Sequence, residues 1–302
     1  MRDDGVLSVV MGDEPPSVAD MIGRTGEGGT LSDVALDAQD SGPLLDEMRR
    51  RWDVMRESVR DGLSQTAASA GGMVARDGKR YLDYVRGGAG LLGALPGKAT
   101  AYALAASECN ACMGRVCAAP TAGACGVLPG LFLALSEERE LDDEALARGL
   151  VTAGMVGSVI AARASLSGAE GGCQAECGSA AAMGAAAVVE LLGGTPEECG
   201  HAAALALKSF LGLACDPVAG LVEVPCIKRN GIAAVHALAS ADMALAGVKS
   251  AIPVDEVIDA MGAVGKSLPE ELRETGRGGV AATPTGRSIA RRVHADPGDD
   301  ED

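Results

Sequence analysis

The sequence predicts an all-α protein, on three observations. Apolar residues make up 47% of the 302-residue chain, yet it holds only one Trp, three Tyr and two Phe. The core must therefore be built from Ala, Val, Leu, Met and some of the 42 glycines, and small side chains suit closely packed helices. No sustained period-2 run of Val, Ile, Thr and Tyr marks a strand.

The elements follow in order. From Pro43 to about Thr66, LLDEMRRRWDVMRESVRDGL reads as a charged amphipathic surface helix. Within the Gly-rich stretch Gly71–Gly97, one helix is expected around Arg80–Arg86, and Ala101–Gly114 reads as another. Leu141–Ser165 is a long helix opened by Asp142, Asp143 and Glu144 against its positive end. An Ala-rich helix follows Cys173 and stops at Gly193-Gly194. Thr195-Pro196-Glu197-Glu198 starts the next with a hydroxyl cap, a first-turn Pro and a third-position Glu. Ser267-Leu268-Pro269-Glu270 predicts a second start of that kind. Asn230–Gly247 reads as a further helix. One folded domain is expected over 17–290, between a flexible N-terminus (1–16) and an acidic disordered tail (291–302).

The net charge is −16, with 20 Arg against 6 Lys. Nucleic acid and anionic membrane surfaces would repel such a chain. The same balance suits a cytoplasm of high salt, where repulsion is screened, the alternative being an ordinary acidic cytosolic protein. No stretch reaches the roughly 18–20 uninterrupted apolar residues of a membrane span. The first twenty residues carry acids and Pro15-Pro16 rather than a signal peptide, so a cytoplasmic location is expected.

Nine cysteines in such a compartment point to metal or redox chemistry rather than disulfides. Two sets compete. Cys109, Cys112, Cys117 and Cys125 have spacings like those of iron–sulfur or zinc motifs, but helical Cys is also a common buried apolar residue. Cys173, Cys215 and Cys226 are dispersed, each at a loop–helix junction, and Cys173 follows Gly171-Gly172 at a positive helix end. Residue spacing alone leaves both sets open, buried inert thiols included.

Four segments carry a resemblance: GRVCAAPTAGACGVLPG (114–130), SGAEGGCQAECGSAAAMGAAAVVELLGGTPEE (167–198), LGLACDPVAGLVEVPCIKRN (211–230) and RETGRGGVAATPTG (273–286). Over roughly Ser17 to Gly286 the chain resembles the alpha chain of the iron–sulfur-dependent L-serine dehydratases. The resemblance implies a [4Fe–4S] cluster held by Cys173, Cys215 and Cys226. The family has no ligands at Cys109, Cys112, Cys117 or Cys125, and Cys177 and Cys199 are likewise read as packing residues.

Three thiolates on four irons leave one iron open, as a catalytic site requires. That iron would stabilise the hydroxide leaving serine while a base removes the Cα proton, giving pyruvate and ammonia. Pyridoxal phosphate, the other cofactor for this reaction, fits poorly, since Lys208 reads as mid-helix with no Gly-rich loop after it. His201, His236 and His294 read as packing, surface or tail residues. The family's catalytic His lies in a Ser-His-Thr motif of a beta region, which this chain lacks, so a beta subunit is expected to supply the base. For the substrate carboxylate the candidates are Thr121 and Gly123 in the 119–123 turn, Arg229, Asn230 and Arg277. Tight-turn, helix-cap and surface ion-pair roles stand as their alternatives. A related lyase acting on L-cysteine or L-threonine, or a non-catalytic chain with a structural cluster, are the rival functions.

Overall fold

In the computed structural model, residues 17–38 and 41–295 are described. They form thirteen α-helices and, among the described residues, no strand. Among the described residues, the only extended pairing is an isolated bridge between Cys215 and Arg273. The helices are α1 (Val18–Arg24), α2 (Leu31–Asp37), α3 (Ser41–Ser64), α4 (Asp77–Arg86), α5 (Ala94–Ala111), α6 (Val127–Arg139) and α7 (Asp143–Arg163). There follow α8 (Gly168–Gly171), α9 (Ser179–Leu191), α10 (Pro196–Lys208), α11 (Cys226–Leu245), α12 (Val254–Ser267) and α13 (Pro284–His294).

Two helices lie at the centre because their sequences are small and apolar all round. In α9, every residue from Ser179 to Val189 is buried, and it packs against α6, α7, α10 and α11. The other, α5, packs against α3, α4, α6 and α11. Small residues set the spacing. A Cβ at Gly62 of α3 would stand 1.8 Å from the Ala105 carbonyl oxygen, and one at Gly126 would stand 2.3 Å from that of Ala103. Trp52 fills the space between α3, α6 and α7, its indole N–H donating to Asp143 (2.9 Å) and its ring centroid 6.3 Å from that of Phe132.

The capping chemistry of Thr195 stands as expected: its hydroxyl accepts the Glu198 amide (3.2 Å) and Glu198 accepts the Thr195 amide (2.8 Å). Asp142 caps α7 by a single bond, its carboxylate accepting the Ala145 amide (2.8 Å). At α4 the cap comes from elsewhere. Arg76 has φ 58° and offers no side-chain cap, so buried Glu108 of α5 accepts the amides of Asp77 (2.6 Å) and Gly78 (3.0 Å).

Four expectations need correction. Ser267 ends α12, its hydroxyl donating to the Val264 carbonyl, and only a 3-10 turn, Glu270–Leu272, follows. The last long helix before α12 starts at Cys226, a turn earlier than expected, because Pro225 tolerates the N-cap position and has no amide to satisfy. Asn230 is therefore internal and buried rather than a cap. Lys208 ends α10 and donates to Ser250 (3.0 Å).

Residues 291–294, assigned to the tail, form the last turn of α13, and His294 is its final residue. Residues 1–16 and 296–302, expected to be unstructured, lie outside the described residues. Among the described residues, one helix, Asp143–Arg163, is long and apolar enough to cross a membrane, and its apolar window is 67% buried inside the fold.

Candidate active site

Cys173, Cys215 and Cys226 are buried, and their thiols lie within electrostatic range of one another. Each is brought in by a different segment. Gly172, at φ 76°, turns the chain out of α8 so that Cys173 opens a π-turn, Gln174–Gly178, that runs into α9. Gln174 pins this turn to the stretch before Cys215. Its amide donates to the Leu213 carbonyl (3.1 Å) and its side-chain oxygen accepts the Gly212 amide (2.9 Å), while its NH2 donates to the carbonyls of Gly171 and Met261. Cys215 itself is held by strand-like bonds, its amide to the Leu272 carbonyl (2.9 Å) and its carbonyl from the Glu274 amide (2.7 Å).

Cys226 is the first residue of α11 and follows the cis Val224–Pro225 bond. Three residues later Arg229 reaches back across the site. It donates to the Ala214 carbonyl (2.8 Å), pairs with Asp216 (2.8 Å), and sets its guanidinium beside the Cys173 sulfur. Asn230 joins α11 to the 119–126 loop, accepting the Gly126 amide (2.9 Å) and donating to the Gly123 carbonyl (2.8 Å) and the Cys226 carbonyl (3.0 Å). Thr121 donates to Glu176 Oε1 (2.7 Å), after the cis Ala119–Pro120 bond. A Cβ at Gly123 would strike Glu176 Oε1 at 2.6 Å, so glycine is what lets this loop close on the π-turn. Cys215 Sγ donates to the other oxygen of Glu176 at 3.6 Å.

The electrostatics separate the three thiols. Hydrogen bonding from Cys177 and the positive charge of Arg229 hold Cys173 below the usual thiol range, against burial. Burial pushes Cys226 up to about 12 and Cys215 higher still, with the Glu176 carboxylate adding to the rise at both. Burial also raises Glu176, offset in part by the Thr121 bond. Thiols bind metal as thiolates, so filling this site would release protons.

All nine cysteines are free. Among the described residues, no three His, Cys, Asp or Glu side chains are arranged to hold a single metal ion. A lone tetrahedral ion with metal–sulfur bonds of about 2.3 Å would draw its thiolates within ~4 Å of each other. Three buried thiols beside a guanidinium are a donor set that could hold a thiolate-bound metal group. The local set does not share this setting. Cys109, Cys112 and Cys117 point at the carbonyls of Arg115, Ala68 and Ala118, and burial raises all of them and Cys125.

The substrate-residue candidates divide. Arg229 lies beside the Cys173 sulfur, Thr121 and Gly123 pack on Glu176, and Asn230 bonds the Cys226 carbonyl, whereas Arg277 is exposed and paired with Glu270 at the surface. Gln174, Glu176, Cys177 and Asp216 are site residues that spacing did not single out. Cys177, read as packing, lies against Cys173, and the one available signal was its four-residue offset from Cys173 at a helix start. His236 faces the Ala206 carbonyl (3.2 Å) and the edge of Phe210, and no histidine contacts the three thiols among the described residues.

Fold and site together define an all-α chain in which three buried cysteines from separate segments come together. Residues 28–281 match the family Serine dehydratase alpha chain. The chain is 50% identical over 250 residues to the probable L-serine dehydratase, alpha chain, of Bacillus subtilis (strain 168), covering 83% of each. It is 46% identical over 250 residues to the L-serine dehydratase, alpha chain, of Peptoniphilus asaccharolyticus, covering 82% of this chain and 86% of that one. With L-serine dehydratase 2 of Escherichia coli (strain K12) the identity is 46% over 182 residues, 60% of this chain but 40% of the relative. This chain belongs to the serine dehydratase alpha-chain family.

Proposed function

We propose that this chain is the catalytic alpha subunit of an L-serine dehydratase, with Cys173, Cys215 and Cys226 holding a [4Fe–4S] cluster. The observation that carries the reading is the meeting of three buried thiols, from three separate segments, around Arg229. When bound, such a cluster supplies an iron free of protein thiolate, a Lewis acid for a departing hydroxyl.

The chain's own residues do the rest. Arg229 offsets the negative charge of the thiolates, and Asp216 and the Ala214 carbonyl fix its guanidinium. Gln174 holds the Cys173 and Cys215 segments in register. Thr121 and the leading amides of the Ala122–Ala124 turn, which have no partner within that turn, face the substrate carboxylate. Asn230 holds that turn against α11. Burial excludes water, which strengthens each of these interactions.

The base that takes the Cα proton belongs to a beta subunit. The absence of any histidine against the thiols among the described residues supports this. So do the words "alpha chain" in the names of two relatives, and the E. coli relative's length beyond the match. The test is anaerobic reconstitution with iron and sulfide, with and without the beta chain, followed by pyruvate or 2-oxobutyrate assay on L-serine, L-threonine and L-cysteine. Full turnover by the alpha chain alone would remove the beta subunit from the proposal, and failure to bind iron would remove the cluster.

A further inference from the structure

A cavity of about 560 Å³ opens between the end of α7, α8 and α12, bordered by the Arg273 segment. Of its charged residues, Arg163 and Asp259 neutralise each other through two bonds of 3.1 and 2.6 Å. Lys266 and Arg273 have no carboxylate partner among the described residues, and Arg273 Nε is buried without an acceptor. Two unpaired cations in one cavity are notable in a chain of net charge −16. A buried guanidinium donor left without an acceptor is costly, so the arrangement calls for an anion from outside the protein. On another wall, the Glu170 carboxylate accepts only the Ser165 hydroxyl (2.6 Å) and meets no cation.

We propose that this cavity binds a small α-amino acid, its carboxylate on Lys266 and Arg273 and its ammonium on Glu170. The cavity lies apart from Thr121 and Asn230. It touches the thiol site through Arg273, whose neighbours Leu272 and Glu274 grip the backbone of Cys215, and through Gly171 and Ala175 on either side of Cys173. Occupancy of the cavity thus bears on the segments that carry two of the three thiols. The assignment stands without the dehydratase reading, since it needs neither cluster nor turnover.

Titration calorimetry of the full chain with L-alanine, which has no β-hydroxyl to lose, tests it. Saturable binding that depends on the cavity residues is expected. Arg273→Gln and Lys266→Gln should each weaken binding at least tenfold. Ala263→Trp, which fills the cavity from the exposed face of α12 and alters no charge, should abolish it. Thr121→Val, at the thiol site, should leave the Kd within twofold, and far-UV circular dichroism checks that each variant is folded. No binding by the parent chain would overturn the proposal. So would binding that survives Ala263→Trp, or binding that is lost in Thr121→Val.

Discussion

Thr121 and Glu176 are joined by a hydrogen bond of 2.7 Å, which ties the loop after the cis Ala119–Pro120 bond to the π-turn carrying Cys173. The acceptor is a buried carboxylate whose other oxygen takes the Cys215 thiol. Thr121→Val should lower the free energy of unfolding by about 1.5–3 kcal/mol, the range for a bond to a charged group. Urea unfolding of the metal-free chain measures it, and an unchanged midpoint would mean that the bond is dispensable.

The thiol set makes a sharper prediction. Replacing Cys173, Cys215 or Cys226 singly by Ser should remove the visible absorbance of the reconstituted chain and its turnover with the beta subunit. Cys109→Ser should keep both. Cys177→Ala should lie between, with iron affinity reduced about 10–100-fold, as expected of a group that orients a ligand rather than binding metal. Iron content and visible spectra distinguish the three outcomes.

Close approach of α3 and α5 can be tested at Gly62. Its Cβ position lies 1.8 Å from the Ala105 carbonyl oxygen, so Gly62→Ala forces the helices apart. A loss of about 1–3 kcal/mol is expected, read as a drop in the denaturation midpoint. Gly154, whose Cβ would meet nothing within 4 Å, is the control: Gly154→Ala should be neutral or stabilising by up to about 1 kcal/mol.

His236 predicts a pH dependence. Burial lowers its pKa below the ordinary 6.5, against hydrogen bonding to the α10 carbonyls. The unfolded chain therefore binds more protons than the folded one between the folded pKa and 6.5, and stability rises with pH across that window. Above it the contribution is constant. His236→Gln should flatten the slope of unfolding free energy below pH 6.5 relative to the parent, and an unaltered slope would count against it.

Salt is the fifth test. At a net charge of −16, and with α3 carrying Arg49–Asp46, Arg50–Glu47, Arg56–Asp53 and Arg60–Glu57 ion pairs at its surface, long-range repulsion outweighs what exposed pairs return. The thermal midpoint should rise with KCl into the molar range. A midpoint independent of salt would exclude a high-salt origin.

Helices announced by their own ends were legible in the residues: Asp142 before α7, Thr195 before α10 and Gly193 after α9 act locally, within four positions. Ser267 shows where local reading fails, since the same hydroxyl that can open a helix closed one. Asn230 misled for a related reason, as Pro225 moved the helix start a turn earlier and turned a cap into a bridge to Gly123 and Gly126. The site was less legible. Separations of 42 and 11 residues among the three cysteines carry no geometry, and it was the resemblance of whole segments that pointed to them. Gln174, Glu176 and Asp216 act on partners such as Gly212, Cys215 and Val280, 38, 39 and 64 positions away, distances at which only the fold makes neighbours.

That separation has a consequence for assembly. The three thiols meet only after α9, α11 and the 213–216 stretch have docked, so no short peptide of this chain can recruit iron ahead of folding. Unlike a zinc finger, which collapses around its ion, the scaffold has a hydrophobic interior of its own, and cofactor delivery must reach sulfurs already enclosed. Chain made in air, without iron, should therefore keep its full helical signal and still accept metal afterwards.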